Sequence, residues 1–278
     1  MKKIMGIEYG RAATATITNA GPALGPDAIR KMFPNNPWIA VIPDEFNLAE
    51  CQADRFAENL KIQNKIYSAT PTESHIMVGG DHSVNFGHFS AIADQFADQD
   101  ICLVYIDAHL DMHTPESSRA EASGAPHGTN VRALLGDGYA PWLEIQKRTP
   151  ALKPENLFYL ASRSYEPSEI KNVTDKNIYI KHANELQDTD SVQKIIDEIR
   201  AKIGNRKFVV SFDYDAIDPK YFNDVLVPEP NGISLDVARQ LTRAFADAYS
   251  FEFVEYAPTG HEQSADIVRE LLEIAMNK

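Results

Sequence analysis

The chain has 278 residues, 44% of them hydrophobic, enough to bury the core of one large domain spanning residues 1–278. Its formal net charge of −13 argues against a nucleic-acid or anionic-membrane partner and is compatible with attracting a cationic small molecule. Only Cys51 and Cys102 are present, one in a helical segment and one in a buried apolar run, so no disulfide framework is expected. The start, MKKIMGIEYG, has too few apolar residues for a signal peptide, and no stretch is long enough to span a bilayer, so a cytoplasmic location is expected.

Taken in order, Ile4 to Tyr9 reads as a short strand, and GPALGP (Gly21 to Pro26) as a loop leading into a helix over Asp27 to Phe33. Trp38 to Ile42 is a second strand. Ala49 to Ser68 carries apolar residues at helical spacing and predicts one long amphipathic helix. Ser74 to Val78 is a third strand ending in Gly79-Gly80-Asp81-His82-Ser83, followed by a helix over Asn85 to Phe96. Ile101 to Ile106 is apolar throughout and reads as a strand buried on both faces. Thr114 to Gly128 reads as a polar loop, of a length that is usually functional or mobile. A short helix follows at Asn130 to Leu135, then strands at Asn156 to Ala161 and Asn177 to Lys181, and a helix at Ser191 to Ile203. Lys207 to Asp213 is another buried strand. A helix at Leu235 to Tyr249, a strand at Phe251 to Val254 ending in Glu255, and a helix at Glu262 to Met276 close the chain.

This alternation predicts an α/β fold with an open, mostly parallel sheet, helices on both faces and right-handed crossovers. In such sheets the ligand site lies at the carboxyl ends of the strands. His82, Asp107, His109, Asp111, Asp213, Asp215 and Glu255 all fall there. Beyond Ile106 an extended backbone would project Asp107, His109 and Asp111 together. Carboxylates so close repel unless a positive charge sits between them.

Four carboxylates and two imidazoles, with no thiolate, form an oxygen-rich set. It suits Mn²⁺ better than a structural zinc and leaves Zn²⁺, Fe²⁺ and Co²⁺ open. Six ligands exceed the need of one open ion. They would hold a pair about 3.5–4 Å apart with a shared hydroxide. Asp213, Asp215 and Asp218 alone would pass as turn and cap residues, and GGDHS alone as a tight turn. Three such motifs, each ending a buried strand, point to a metal centre. His75, His88, His182 and His261 match no motif and read as surface or packing residues. Asp81 and Ser83 would orient His82, Ser83 equally serving as a helix cap.

GGDHS, DAHLD (Asp107 to Asp111) and SFDYDAIDP (Ser211 to Pro219) resemble, in order and spacing, the metal-binding motifs of the ureohydrolase family of arginase, agmatinase and formiminoglutamase. The resemblance runs from GPALGPDAIR to VEYAP. It implies a three-layer α/β/α sandwich around a mostly parallel eight-stranded sheet, often assembled as a homo-oligomer, trimer or hexamer. It implies two Mn²⁺ ions, one held by His82, Asp107, Asp111 and Asp213, the other by His109, Asp107, Asp213 and Asp215. The implied reaction hydrolyses a small cationic guanidino substrate to urea and an amine. Asp111 would orient the nucleophile, Glu255 would grip the guanidinium and His127 would shuttle a proton to the leaving amine. An unperturbed imidazole, with a pKa of about 6.5, suits that shuttle.

HGT (His127 to Thr129) and VEYAP followed by EQSADI look more like agmatinase, so agmatine is the leading expected substrate. Arginine, a guanidinobutyrate-type acid, and a non-catalytic metal-binding relative are the alternatives. His113 stands in place of an arginase asparagine, Ala125 in place of another, and Glu166 near an aspartate that reads the substrate's α-amino group. His113, Glu166, His127 and Glu255 are the candidate substrate contacts. From agmatinase the chain departs at Asp224 to Val227, where a GTGT-type turn is usual. Formiminoglutamase carries glycine where Asp81 stands.

Overall fold

The computed structural model describes residues 2–13, 21–45 and 47–277. Eight strands form one sheet: β1 Lys3–Ile7, β2 Trp38–Val41, β3 His75–Val78, β4 Cys102–Ile106, β5 Leu157–Ser162, β6 Tyr179–His182, β7 Phe208–Asp213 and β8 Ser250–Val254. Every pairing is parallel, and the order is β2-β1-β3-β8-β7-β4-β5-β6. The helices are α1 Gly25–Met32, α2 Leu48–Ala53, α3 Arg55–Ala69, α4 Asn85–Gln95, α5 Pro115–Glu121, α6 Asn130–Leu134, α7 Ala140–Leu143, α8 Pro167–Asp175, α9 Thr189–Ile203, α10 Leu235–Ala244 and α11 Glu262–Met276.

The strands alternate between two cores, as a pleat of period two requires. Ile76, Val104, Ile106, Val210, Phe212 and Phe253 face one side, where α1, α9, α10 and α11 pack. Leu103, Tyr105, Tyr159 and Val209 face the other, with Phe86, Phe89 and Trp142 of α4 and α7. Met5, Met77 and Val254 complete that second side against Ile62 and Ile66 of α3. The sheet thus lies between two helical layers, which is why its central strands read as continuous apolar runs.

Several boundaries differ from the expectation. The predicted helix over Ala49 to Ser68 is two helices. Asp54 adopts an extended backbone (φ −155°) and its side chain accepts hydrogen bonds from the Phe56 and Ala57 amides, so it caps α3 instead of continuing α2. The loop at Thr114 to Gly128 contains α5, opened by a reciprocal Thr114–Ser117 capping box and Pro115 in the first turn. α7 and α8 were not anticipated, and α10 stops at Ala244, five residues short of Tyr249. Cys51 and Cys102 are both free and buried.

Removing the Asp54 cap by Asp54→Ala should cost about 1 kcal/mol, a fall in melting temperature of about 2 °C. Calorimetry checks it. An unchanged transition would mean that the α2–α3 break is set elsewhere.

Candidate metal centre and substrate cavity

Four adjacent central strands, β3, β8, β7 and β4, bring the candidate residues to one point. Val78, Phe253, Phe212 and Ile106 lie in register across them. The segments that follow therefore leave the sheet edge at one level: Gly79 to His82, Glu255, Asp213 to Asp215, and Asp107 to Asp111. Asp107, Asp111, Asp213, Asp215, His82 and Glu255 are all buried, and His109 is 28% exposed at the mouth.

The backbone fixes one oxygen of three of the carboxylates and turns the other inward. Asp213 Oδ1 accepts from the Asp215 amide at 2.8 Å, while Oδ2 lies 3.1 Å from His82 Nδ1. Asp215 Oδ1 accepts from the Ala108 amide at 3.1 Å, while Oδ2 lies 3.0 Å from His109 Nδ1. Asp107 Oδ1 accepts from the His109 amide at 2.6 Å, while Oδ2 lies 2.8 Å from His82 Nδ1. Two groups able to hold a metal ion result: His82–Asp107–Asp111 and Asp107–His109–Asp215. Asp107 belongs to both, and among the described residues its buried Oδ2 accepts no hydrogen bond. A shared carboxylate with one unsatisfied inward oxygen fits a pair of divalent ions. The hard, oxygen-rich donor set fits them as well. His82 Nε2 lies 2.8 Å from Ser211 Oγ, a contact that orients the ring with Nδ1 toward the carboxylates.

The electrostatics describe a site overloaded with negative charge. Burial raises the Asp111 pKa to about 7, with Asp107 adding to it. Burial, then Asp215 and Asp107, pushes Asp213 well above the carboxylate range. Burial, then Asp213 and Asp81, does the same to Glu255. Burial opposes a charge on His82, but its close contacts with the Asp107 and Asp213 carboxylates outweigh it and raise the His82 pKa well above its ordinary value. Both Asp111 (φ 50°) and Glu255 (φ 66°) sit in the left-handed region, which non-glycine residues adopt at a cost of about 1–3 kcal/mol.

The inner chamber has a volume of ≈ 20 Å³ and is lined by the six motif residues together with His127, Leu226, Val227 and Glu255. An outer cavity of ≈ 360 Å³ adjoins it, lined by His113, Glu166 and Glu169 among others. Every candidate residue is therefore at one of two connected cavities. His113 Nε2 lies 3.1 Å from Glu166 Oε2 and 3.6 Å from Glu169 Oε2. Glu169 was missed. It accepts from the Met112 and Glu166 amides, and burial with its Glu166 contact raises its pKa to about 9. The Glu-x-x-Glu spacing at the start of α8, a capping box, was the available signal. His127 departs from the unperturbed imidazole expected. Burial, then His109, lowers its pKa to about 4, so it is neutral at pH 7. Among the described residues, its Nδ1 is buried without a hydrogen-bond partner. Glu229, 3.8 Å from His109 Nε2, was also missed.

His75 and His88 are buried packing residues; His182 is half-buried and His261 is exposed beside Asp224. Asp81 accepts from the Ser83 amide and hydroxyl and caps the turn that carries His82.

This sheet order and this placement of the motifs define an arginase-type fold, and comparison with known proteins agrees. The arginase family model matches residues 3–276, so the chain belongs to the arginase family of ureohydrolases. It is 29% identical over 194 residues to the arginase of Bacillus caldovelox, covering 68% of this chain and 63% of that relative. It is 26% identical over 232 residues to the arginase of Glaciozyma antarctica, covering 78% and 66%. The chain thus spans slightly under two thirds of the length of these relatives. The crystal structure of Entamoeba histolytica arginase in complex with L-ornithine superposes with a TM-score of 0.85 at 22% identity, covering 99% of this chain and 98% of that one, a likeness of fold.

Loading the centre with divalent metal should release protons at pH 7. His82, Asp111 and Asp213 hold protons more tightly than usual in the metal-free site and must surrender them to act as ligands. Titration calorimetry in buffers of different ionisation enthalpy reads this directly. A binding heat independent of buffer would contradict it.

Proposed function

We propose that the chain is a hydrolase that cleaves a guanidino group to urea and an amine at a pair of divalent ions, Mn²⁺ the first choice. The observation that carries this reading is the shared Asp107 between two ligand groups at the bottom of a carboxylate-rich cavity. His82, Asp107, Asp111 and Asp213 would hold one ion, and His109, Asp107, Asp213 and Asp215 the other. When bound, the ions supply a hydroxide-strength nucleophile from water at neutral pH.

The chain's own groups do the rest. Asp111 orients the attacking oxygen. Glu255, held at His82 by accepting the backbone amide at 2.9 Å, is the anion that receives the guanidinium. A guanidinium is planar and resonance-stabilised, so it must be held firmly to be attacked. A cation there also offsets the burial and the repulsion by Asp213 and Asp81 that raise the Glu255 pKa. Neutral His127 is ready to accept a proton as the nucleophile adds and to pass it to the leaving amine. Glu166, Glu169 and His113 meet the substrate tail.

An amine on that tail matches the two glutamates. Arginine is favoured by the names of the relatives. Agmatine, the second reading, is favoured by one observation: among the described residues no lysine or arginine lines the outer cavity to balance an α-carboxylate. One domain over residues 1–278, a homo-oligomeric state (trimer or hexamer) and a cytoplasmic location belong to the same proposal. No helix among the described residues is long and apolar enough to cross a membrane.

The test is urea release by Mn²⁺-loaded protein from arginine, agmatine, guanidinobutyrate and guanidinopropionate. An amine-bearing compound should lead, and the arginine-to-agmatine ratio of kcat/KM names the substrate. A lead by either guanidino acid would overturn the tail assignment. No urea from any, in protein carrying two metals, would overturn the reaction. Glu255→Gln should keep both metals and lose about 100-fold in kcat/KM, on the order of 3 kcal/mol. Turnover within a few-fold of the parent would remove Glu255 from substrate binding.

A further inference from the structure

Asp111 differs from the other three inward carboxylates in what holds it. Its Oδ2 accepts from side chains: the Tyr105 hydroxyl at 2.6 Å and the Asn130 amide at 3.1 Å. Tyr105 stands inside β4, two residues before Asp107, and is fully buried. Its ring stacks on His82, with centroids 4.5 Å apart and planes 8° from parallel, and meets Tyr159 edge-on at 5.5 Å. The hydroxyl oxygen lies 3.0 Å from His82 Nδ1, the nitrogen that faces the carboxylates. One phenol therefore touches the working atoms of two candidate ligands.

Asn130 extends the contact. Its Nδ2 lies within hydrogen-bonding distance of the His82 carbonyl at 2.8 Å and the His127 carbonyl at 3.2 Å as well as of Asp111. It sits at the head of α6, immediately after the His127–Thr129 turn, and is fully buried. With Oδ2 held by two donors, the Asp111 carboxylate cannot rotate freely, and Oδ1 is turned toward Gly128.

We infer that Tyr105 and Asn130 are a positioning pair for this centre. They fix the plane of Asp111, keep one oxygen on the His82 side and present the other to the cavity, and tie His82 and His127 to the same carboxylate. The chemistry requires such a device. Asp111 has two tasks, holding an ion and orienting a nucleophile, and a freely rotating carboxylate would exchange its oxygens between them. Charge-assisted donation from a buried phenol is a strong constraint for this purpose. Partners that orient ligands in this way are typically worth about 10–100-fold in metal affinity or activity. Neither residue touches the reacting atoms in this account.

The inference rests on the two-metal reading above, and one experiment separates the two. Mn²⁺ binding to the parent, to Tyr105→Phe and to Asn130→Ala is measured by titration calorimetry, with kcat, KM and the metal-free melting temperature alongside. Phenylalanine keeps the stacking on His82 and the packing on Tyr159 and removes only the donor. Two ions bound by the parent sustain the two-metal reading; none bound overturns that reading and this inference with it. The expected result for Tyr105→Phe is a loss of about 10-fold or more in affinity for one of the two ions. The other ion should be little changed, kcat should fall and KM should stay within about two-fold. Asn130→Ala should weaken the same ion. A Tyr105→Phe protein that binds both ions as the parent does, whatever its melting temperature, would overturn the role, as would equal weakening of both ions.

Discussion

Five buried carboxylates crowd the carboxyl edge of four neighbouring strands, and among the described residues their partners of opposite sign are two imidazoles. That imbalance is the constraint on which the rest of the site depends. Asp107, Asp111, Asp213, Asp215 and Glu255 are each at most 7% exposed. In water each would ionise independently. Here burial and mutual repulsion hold four of them above their ordinary pKa, while Asp107, in contact with both histidines, is held below it despite burial. Such a cluster must hold protons or metal ions. A fold that builds it at the expense of two left-handed backbone residues has placed those charges where added cations are strongly favoured.

The geometry follows from strand endings. A parallel strand buried on both faces delivers its next residues to the sheet edge with a defined register. At the end of β7, Asp213 caps the turn Tyr214–Ala216 through one oxygen. The other oxygen is left pointing at His82. An Asp-x-Asp sequence can therefore serve as a turn cap and as a candidate ligand pair at once, because the cap is what aims the second oxygen. The same holds for Asp107 and the His109 amide.

This explains what could be read from the chain alone. The motif residues were legible because strand, turn and ligand are contiguous in sequence, and the alternation of apolar segments gave the parallel sheet around them. Tyr105, Ser211 and Asn130 were not. Two of them lie inside strands whose composition describes only burial, and the third looks like any polar residue at a helix start. Their significance depends on β7 lying beside β4 and on the turn after His127 folding over Asp111, neither of which has a local signature. Among the helices, Asp54 hid the α2–α3 break because apolar spacing continues past it. α5 and α8 were missed because capping, and not hydrophobic periodicity, defines such short helices.

The rigidity that such a site needs is visible one layer behind it. The Glu73 carbonyl can only accept, so His75 Nδ1, 2.8 Å away, carries the proton. Burial, reinforced by His88, lowers the His75 pKa to about 3, so His75 Nε2 is an acceptor. His88 Nε2, 2.7 Å from it, must then donate, and His88 Nδ1 lies 2.5 Å from Glu252 Oε1. Asn85 closes the set by donating to Glu252 Oε2 at 2.6 Å. All four side chains are fully buried, so each donor in this chain has one place to go. The network joins β3, α4 and β8. The turn that carries His82 runs from the end of β3 into α4, and Glu255 follows β8 directly. The two groups proposed to meet the guanidinium and the metal ions are thus set by a network that reaches neither. Its histidines matched no motif because their work is mechanical.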